Sequence, residues 1–366
     1  MTRKCSRHDA IVTMAGVSPG ALEERAAEAS KEELEVMVEM VVEGEVVKPG
    51  LLPGVLVGQT RVWRNGRETV TEVEGLFPSG LTAALDCGGG GGVLVGAWRA
   101  LSSLTMLTVG LGARLLLRGL NTTVVHGEEH LAAALARPAA TALLSVTSHH
   151  SCLDDPGLWG ALLSPATLAD TRAMRWGASA SEVIFLNRAL AAFWGLGKVV
   201  PIVRGWGVRQ PAMDFLLARL QAGAWVNVFP EGRVVWPPAE QGRLRWGVGR
   251  LLTDCRSPAL LLPVAHLGMA GVLPNPAAPG EGQGVVPRVG QLVTVVVGPP
   301  VDLAPLVAAL RAEGRGEEEV RAAVTEEVQE VLARVAGEAR VRRREDLRRW
   351  LERWHDRTDT TPSILT

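Results

Sequence analysis

Apolar residues in this chain gather into short continuous blocks that alternate with amphipathic stretches. TALLSVT (141–147), KVVPIV (198–203, interrupted by Pro201), WVNVF (225–229), ALLLPVA (259–265) and LVTVVV (292–297) read as strands buried on both faces, and VIFL (183–186) is a further strand candidate. Between them PAMDFLLARLQA (211–222) has helical periodicity and a stop at Gly223. RLRWGVGRLLTDC (243–255) reads as helical despite Gly247 and Gly249. Beyond residue 301 the pattern is helical, and beyond 310 highly charged. This alternation predicts an α/β fold with a central mixed sheet flanked by helices.

The flanks differ. Residues 20–44 are acidic and helix-prone, 45–85 are weakly patterned, and DCGGGGG (86–92) is a flexible break. The expected division is an N-terminal extension over 1–92, a main domain over 93–310 and a charged helical region over 311–366. Between Arg99 and Arg114 lie 14 uncharged residues, followed by LLL. A membrane-spanning helix needs roughly 20 apolar residues. The stretch therefore reads as a buried helix or as an interfacial segment with its arginines among headgroups.

Composition narrows the chemistry. The chain has 366 residues, 47% of them apolar, and a formal net charge of −1. A general nucleic-acid binder is not expected, and an anionic ligand must be met by local arginines. Cys5, Cys87, Cys152 and Cys255 show no paired spacing, which argues against a disulfide framework or a zinc finger. Arg3, Lys4 and Arg7 outnumber Asp9 as in a presequence, but the acidic segment that follows interrupts the pattern, and no secretory signal is visible.

TSHHSCLDDPGLWG (147–160) concentrates the chemistry. His149 and Asp154 lie five residues apart, about 140° apart around a continuous helix, so they would not meet there. They meet if His149 ends a strand and Asp154 sits in the first turn of the next helix. A carboxylate that accepts from one ring nitrogen fixes the tautomer and makes the other nitrogen a better base. His150 and Asp155 have the same spacing. Asp155 before Pro156 suits a helix N-cap with proline at the first helical position, which favours His149 with Asp154. Other readings stay open on this stretch alone: a polar loop whose aspartates cap a helix, a zinc site, or Cys152 as a nucleophile.

H-x-x-x-x-D after a strand, followed by Phe229, Pro230, Glu231 and Gly232 at the end of another, resembles the glycerolipid acyltransferase superfamily. A longer ordered set is similar to the tafazzin family: H-x-S-C-L-D-D-P-x-L-W-G (149–160), M-R-W (174–176), G-K-V-V-P-I-V-R-G (197–205), M-D-F (213–215), W-V-N-V-F-P-E-G (225–232), R-W-G-V-G-R-L (245–251) and H-L-G-M…V-L-P-N (266–275). The resemblance covers about 93–310. Two positions depart from the family pattern: Ser148 stands for the usual Asn, and His150 for the usual Gln.

The resemblance implies a phospholipid–lysophospholipid transacylase that remodels mitochondrial cardiolipin without metal or organic cofactor. His149 would be the base and Asp154 its partner. Residues 197–205 would bind the acceptor, with Arg204 and Gly205 near its phosphate. Glu231 would hold a cation such as Arg204 or Arg233, and Pro263 would line the acyl site. Its partners would be phospholipid, lysophospholipid and the membrane interface, as a peripheral or monotopic protein of a mitochondrial membrane. In that setting the apolar segment near 93–117 reads as an interfacial anchor. Residues 340–357 read as a solvated helix, against a role in binding anionic lipid. The rivals are an acyl-CoA-dependent lysophospholipid acyltransferase, a non-catalytic lipid-binding protein and, weakest, a zinc hydrolase.

Overall fold

A computed structural model describes residues 58–64, 67–73, 93–235, 242–274 and 286–359. The acidic segment 20–44 and the glycine run 86–92 lie outside the described residues. In the weakly patterned stretch, Gly58–Arg64 (β1) and Arg67–Val73 (β2) form an antiparallel hairpin.

The chain then runs through α1 (Val93–Arg114), a π-helical turn (Leu115–Gly119), β3 (Thr122–His126), α2 (Glu128–Leu135), β4 (Ala142–Thr147) and α3 (Asp154–Leu162). Next come β5 (Gly177–Ala180), α4 (Arg188–Leu196), β6 (Val199–Ile202), α5 (Pro211–Gln221), β7 (Trp225–Val228) and α6 (Gly247–Thr253). The last elements are β8 (Ala259–Leu267), β9 (Leu292–Val297), β10 (Val301–Asp302), α7 (Ala304–Ala312) and α8 (Glu317–Asp359).

The central sheet is mixed, in the order β3-β9-β8-β4-β7, with β10 also paired to β8. β4 is parallel to both β7 and β8, so all three release their chains at one edge of the sheet. β8 and β9 are antiparallel. Beyond β7, Trp176 bridges Val226 in parallel and leads into the small parallel sheet β5–β6. Pro201 sits in β6, which has β5 as its partner strand, a position that spares a ladder donor.

Both faces of the sheet are covered, which explains the uninterrupted apolar strands. Alternate side chains go to opposite sides. Leu143, Trp225, Leu262, Val264 and Val295 pack with α1, α2 and α3 through Met106, Leu131, Leu158 and Trp159. Leu144, Val146, Val226 and Leu261 pack with α5, α6, α7 and α8 through Leu216, Leu251, Val307, Val324 and Val328.

Pro263 lies inside a central strand, paired with Val146 of β4. Its carbonyl accepts from Gly298 N–H at 2.9 Å. The N and O of one strand residue point the same way, so the missing donor faces Gly298, where β9 has ended and β10 has not begun.

Three expectations change. VIFL is not a strand, because Ser181–Ile184 form a helical turn whose Val183 and neighbouring Leu186 are exposed. The apolar segment, read as too short to span, is a helix from Val93 as expected, and Val95–Gly119, 25 residues, is long and apolar enough to cross a membrane. The C-terminal helix is not merely solvated. Val320, Val324, Val328, Val331 and Leu332 of α8 are buried. Farther along it, buried Asp346 accepts from Thr294 Oγ1 at 2.9 Å and pairs with His126 Nε2 at 3.0 Å. Arg343 donates to Leu292 O at 2.6 Å.

α1 and α3 approach closely at Gly160. A Cβ there would stand 2.6 Å from Gly110 O and 2.7 Å from Ala113 Cβ, so α3 must back away from α1. Gly160→Ala should destabilise by about 1–3 kcal/mol, the usual cost of overpacking. A thermal melt with unchanged Tm would show that the two helices separate freely.

Candidate active site

The carboxyl ends of β4, β7 and β8 supply the site. Just beyond β4 the loop carries His149, His150 and Ser151, and Asp154 opens α3. Asp154 is fully buried. Its Oδ2 meets His149 Nδ1 at 2.9 Å and accepts from the N–H groups of His150 at 2.6 Å and Ser151 at 2.9 Å. The loop is thus wrapped around one carboxylate oxygen. Burial alone would raise the pKa of Asp154. The His266 charge and the hydrogen bond with His149 outweigh it and hold the group well below the usual carboxylate range.

With Oδ2 as acceptor, His149 carries its proton on Nδ1, and Nε2 is left as the acceptor nitrogen. The imidazole is 21% exposed, so it is reachable from outside. Its ring stacks on Phe229, centroids 4.3 Å apart, which limits its rotation.

Glu231 enters from the turn after β7, where Gly232 N–H donates to Phe229 O at 3.0 Å and Gly232 takes φ +69°. Gly232 suits that left-handed position because it has no Cβ. Glu231 is buried, and its Oε2 accepts from the His149 backbone N–H at 3.2 Å. Burial pushes its carboxyl up to about 7, against hydrogen bonds from His149 and Gly242 N–H that favour the charged form. In return, Val235 N–H donates to His149 O at 2.7 Å. The F-P-E-G turn therefore fixes the backbone of the histidine loop on both sides of His149.

Among the described residues there is no group of three or more His, Cys, Asp and Glu able to hold a metal ion. Cys152 is exposed as a residue, but its thiol is partly desolvated and lies near the Asp154 charge, which raises its pKa and makes it a poor thiolate.

The family model described as Acyltransferase matches residues 122–267, from β3 to the end of β8. Tafazzin of Drosophila melanogaster is 34% identical over 252 residues, 68% of this chain and 64% of that protein. Taffazin of Dictyostelium discoideum is 36% identical over 163 residues, 43% of this chain and 53% of that one. The chain belongs to the tafazzin family of glycerolipid acyltransferases. N-acylphosphatidylethanolamine synthase of Arabidopsis thaliana is also similar, 33% identical over 183 residues, 50% of this chain and 64% of that protein. The chain spans between about half and two thirds of the length of these relatives.

Within this family member the two His–Asp registers part company. His149 meets Asp154, whereas Asp155 turns away to an ion pair with buried Arg175. Asp155 has the extended dihedrals of an N-cap, φ −124° and ψ 114°, but its carboxylate is claimed by a buried guanidinium and does not cap the N–H groups of α3. His150 is buried, and burial with the nearby His266 charge lowers its pKa to about 4, so it stays neutral.

Glu231 does not hold Arg204. Arg204 Nη1 pairs with Glu182 Oε1 at 3.1 Å and is 48% exposed, while Glu231 is spent on backbone N–H groups. Gly205 follows in the left-handed region at φ +87° with open space around it. Lys198, in the same block, faces inward. Its Nζ donates to Thr171 O at 2.8 Å and to Met174 O, and lies over the Trp176 ring. Burial, then the charge of Arg175, brings its pKa down to about 7. Pro263 is buried within the sheet, three residues before His266 on the same strand.

His266, whose sequence context allows either a core histidine or one that supports the site from behind, sits beside Asp154, with Nε2 3.3 Å from Oδ1. Its place at the head of H-L-G-M was the available signal.

Glu231 gives a pH signature. A carboxyl whose pKa rises on folding stabilises the fold below its unfolded value and loses that contribution as pH climbs through its folded value. Glu231 spans about 4.5 to about 7. Wild type should therefore lose Tm relative to Glu231→Gln across that window and hold a steady difference above it. A difference independent of pH would mean that Glu231 is ionised throughout.

Proposed function

We propose that this chain exchanges acyl groups between a phospholipid and a lysophospholipid, with cardiolipin and its lysoform as substrates, at a mitochondrial membrane. The observation that carries the reading is the contact at 2.9 Å between His149 Nδ1 and buried Asp154, with the imidazole open to the outside. The tafazzins among its relatives support the lipid class.

His149 Nε2 takes the proton of a lysophospholipid hydroxyl as that oxygen attacks the donor's ester carbonyl. The tetrahedral intermediate collapses, the donor's C–O bond breaks, and the imidazolium returns its proton to the leaving lysolipid oxygen. One ester replaces another, so the reaction is nearly balanced and reversible. Asp154 stabilises the imidazolium formed midway.

The outer face of α1 supports action at the bilayer surface. Val95, Ser102, Met106 and Leu117 face inward, whereas Leu101, Leu104, Leu111 and Leu115 are exposed. α4 lies beside α1, joined by Ser102 Oγ donating to Leu196 O at 2.6 Å, and adds exposed Leu190 and Phe193. An apolar stripe backed by protein on its other side suits a helix lying in the interface.

A second reading changes the acceptor. The similarity to N-acylphosphatidylethanolamine synthase makes the headgroup amine of phosphatidylethanolamine an alternative nucleophile for the same base.

Liposomes with labelled phosphatidylcholine, lysocardiolipin and phosphatidylethanolamine, without CoA, separate these possibilities. Label should reach cardiolipin with wild type and with His150→Ala. His149→Ala should lower the rate by about a thousandfold, within the range of general-base catalysis. Label found only as an amide of phosphatidylethanolamine would establish the second reading. Transfer that needs added acyl-CoA would replace transacylation with a CoA-dependent reaction.

Replacing Leu101 and Leu104 by Glu together should reduce co-sedimentation with anionic liposomes about tenfold or more while leaving the Tm near wild type. Undiminished binding would remove α1 from the membrane contact.

A further inference from the structure

Asp154 has a second oxygen that the His149 pair does not use. Oδ2 is saturated by three N–H groups, while Oδ1 is buried and takes no well-aligned hydrogen bond. Its nearest cationic neighbour is His266 Nε2, 3.3 Å away. His266 comes from β8, a different strand from the one that delivers the histidine loop, and its side chain is fully buried.

The orientation of His266 follows from its partners. Nε2 also lies 2.9 Å from Ser148 O, and its backbone N–H donates to Ser148 Oγ at 3.2 Å. Both groups facing Nε2, a carbonyl and a carboxylate, only accept. Nε2 must therefore carry a proton. The other nitrogen, Nδ1, has no hydrogen-bond partner. The ring borders a small cavity behind the site, lined also by His150, Glu231, Ser148 and, from α8, Leu332 and Arg340. His150 stands edge-on to it at 5.3 Å between centroids.

We propose that His266 is a positioning residue of this site: its Nε2–H, anchored on the Ser148 carbonyl, faces Oδ1 of Asp154 at 3.3 Å, so that Oδ2 is presented to His149 in one orientation. The proposal rests on the reading of His149 and Asp154 as the catalytic pair. His266 itself does not touch substrate, since its side chain has no exposed surface. Burial opposes protonation of the ring, but Asp154, the Ser148 carbonyl and Glu231 together raise its pKa.

Two polar replacements separate a donor at Nε2 from mere bulk. A Gln side chain places its amide N–H close to where Nε2 sits; Asn is shorter and its amide falls near Nδ1, out of reach of Asp154. Wild type, His266→Gln, His266→Asn and His149→Ala are compared by kcat and KM in the CoA-free liposome assay, with Tm measured for each. The expected result is kcat for H266Q within about tenfold of wild type and for H266N lower by about a hundredfold. KM should be unchanged in both, the mark of a group felt in the transition state and not in substrate binding. Equal kcat values for H266Q and H266N overturn the proposal, as does an H266N defect confined to KM. Activity retained by H149A would instead remove the catalytic pair itself, which is a separate failure. If H266N does not fold, H266Q decides alone: a kcat a hundredfold below wild type in a folded protein refutes the positioning role.

Discussion

A carboxylate with no access to water must be given hydrogen bonds and counter-charge by the protein, or it will not stay ionised. Asp154 is that group here, and much of the architecture around it follows. The loop after β4 folds back so that two consecutive backbone N–H groups and one imidazole converge on Oδ2. Three parallel strands ending at one edge are what make this convergence possible. β4 supplies the loop, β8 brings His266 to the other oxygen, and β7 ends in the turn whose Glu231 pins the backbone of His149. A misplacement of any one strand would strand a buried charge, so the site and the sheet specify each other.

The same logic extends to the polar groups nearby. Arg175 would be a second buried charge without a partner, and Asp155 supplies one at the expense of capping α3. Two adjacent aspartates thus serve two different buried cations. Lys198, next in the chain to the backbone that accepts from Arg175, resolves its own burial with two carbonyls and an indole face. These pairings tie residues 171–176 to α3 and to the chain at 197–198, while Arg204 faces outward to Glu182.

The sequence revealed the strands that are buried on both faces, because a continuous apolar block between turn residues has few other uses. β4, β7, β8 and β9 all came from that signal. VIFL carried the same composition and became a helical turn, since Val183 and Leu186 lie at the surface, Phe185 alone is buried, and no strand pairs with the segment. β3 was missed because Thr122 and Thr123 dilute its apolar character, and β5 because Gly-Ala-Ser-Ala carries none. Spacing gave the His149–Asp154 contact as a geometric option, yet the choice against His150–Asp155 rested on a capping role that Asp155 does not play. What excludes it is Arg175, 20 residues on, and no local pattern announces such a partner. His266 was only half legible for the same reason: a histidine at the end of an apolar strand reads as core or as support for the site until the neighbouring strand's loop is seen to fold over it.

α8 shows why a charge run is a poor guide to exposure. Its composition after Arg340 is dominated by arginine, but periodicity matters more than content. One stripe, from Val320 through Val328 and Val335 to Ala339, lies against the sheet, and Asp346 continues it as a buried polar anchor between His126 and Thr294. By covering β8 and β9, this helix also forms the back wall of the cavity behind the dyad, through Leu332, Ala336 and Arg340. The wall keeps water from the rear of Asp154 and His266, so contact between solvent and the pair is confined to the side where His149 is exposed. On the proposed reading that is also the side from which a lipid hydroxyl comes. A base reached from one direction only, in a protein with an apolar helical stripe on its surface, favours nucleophiles presented by a membrane over bulk water, which is what transfer between lipids requires if hydrolysis is to be avoided.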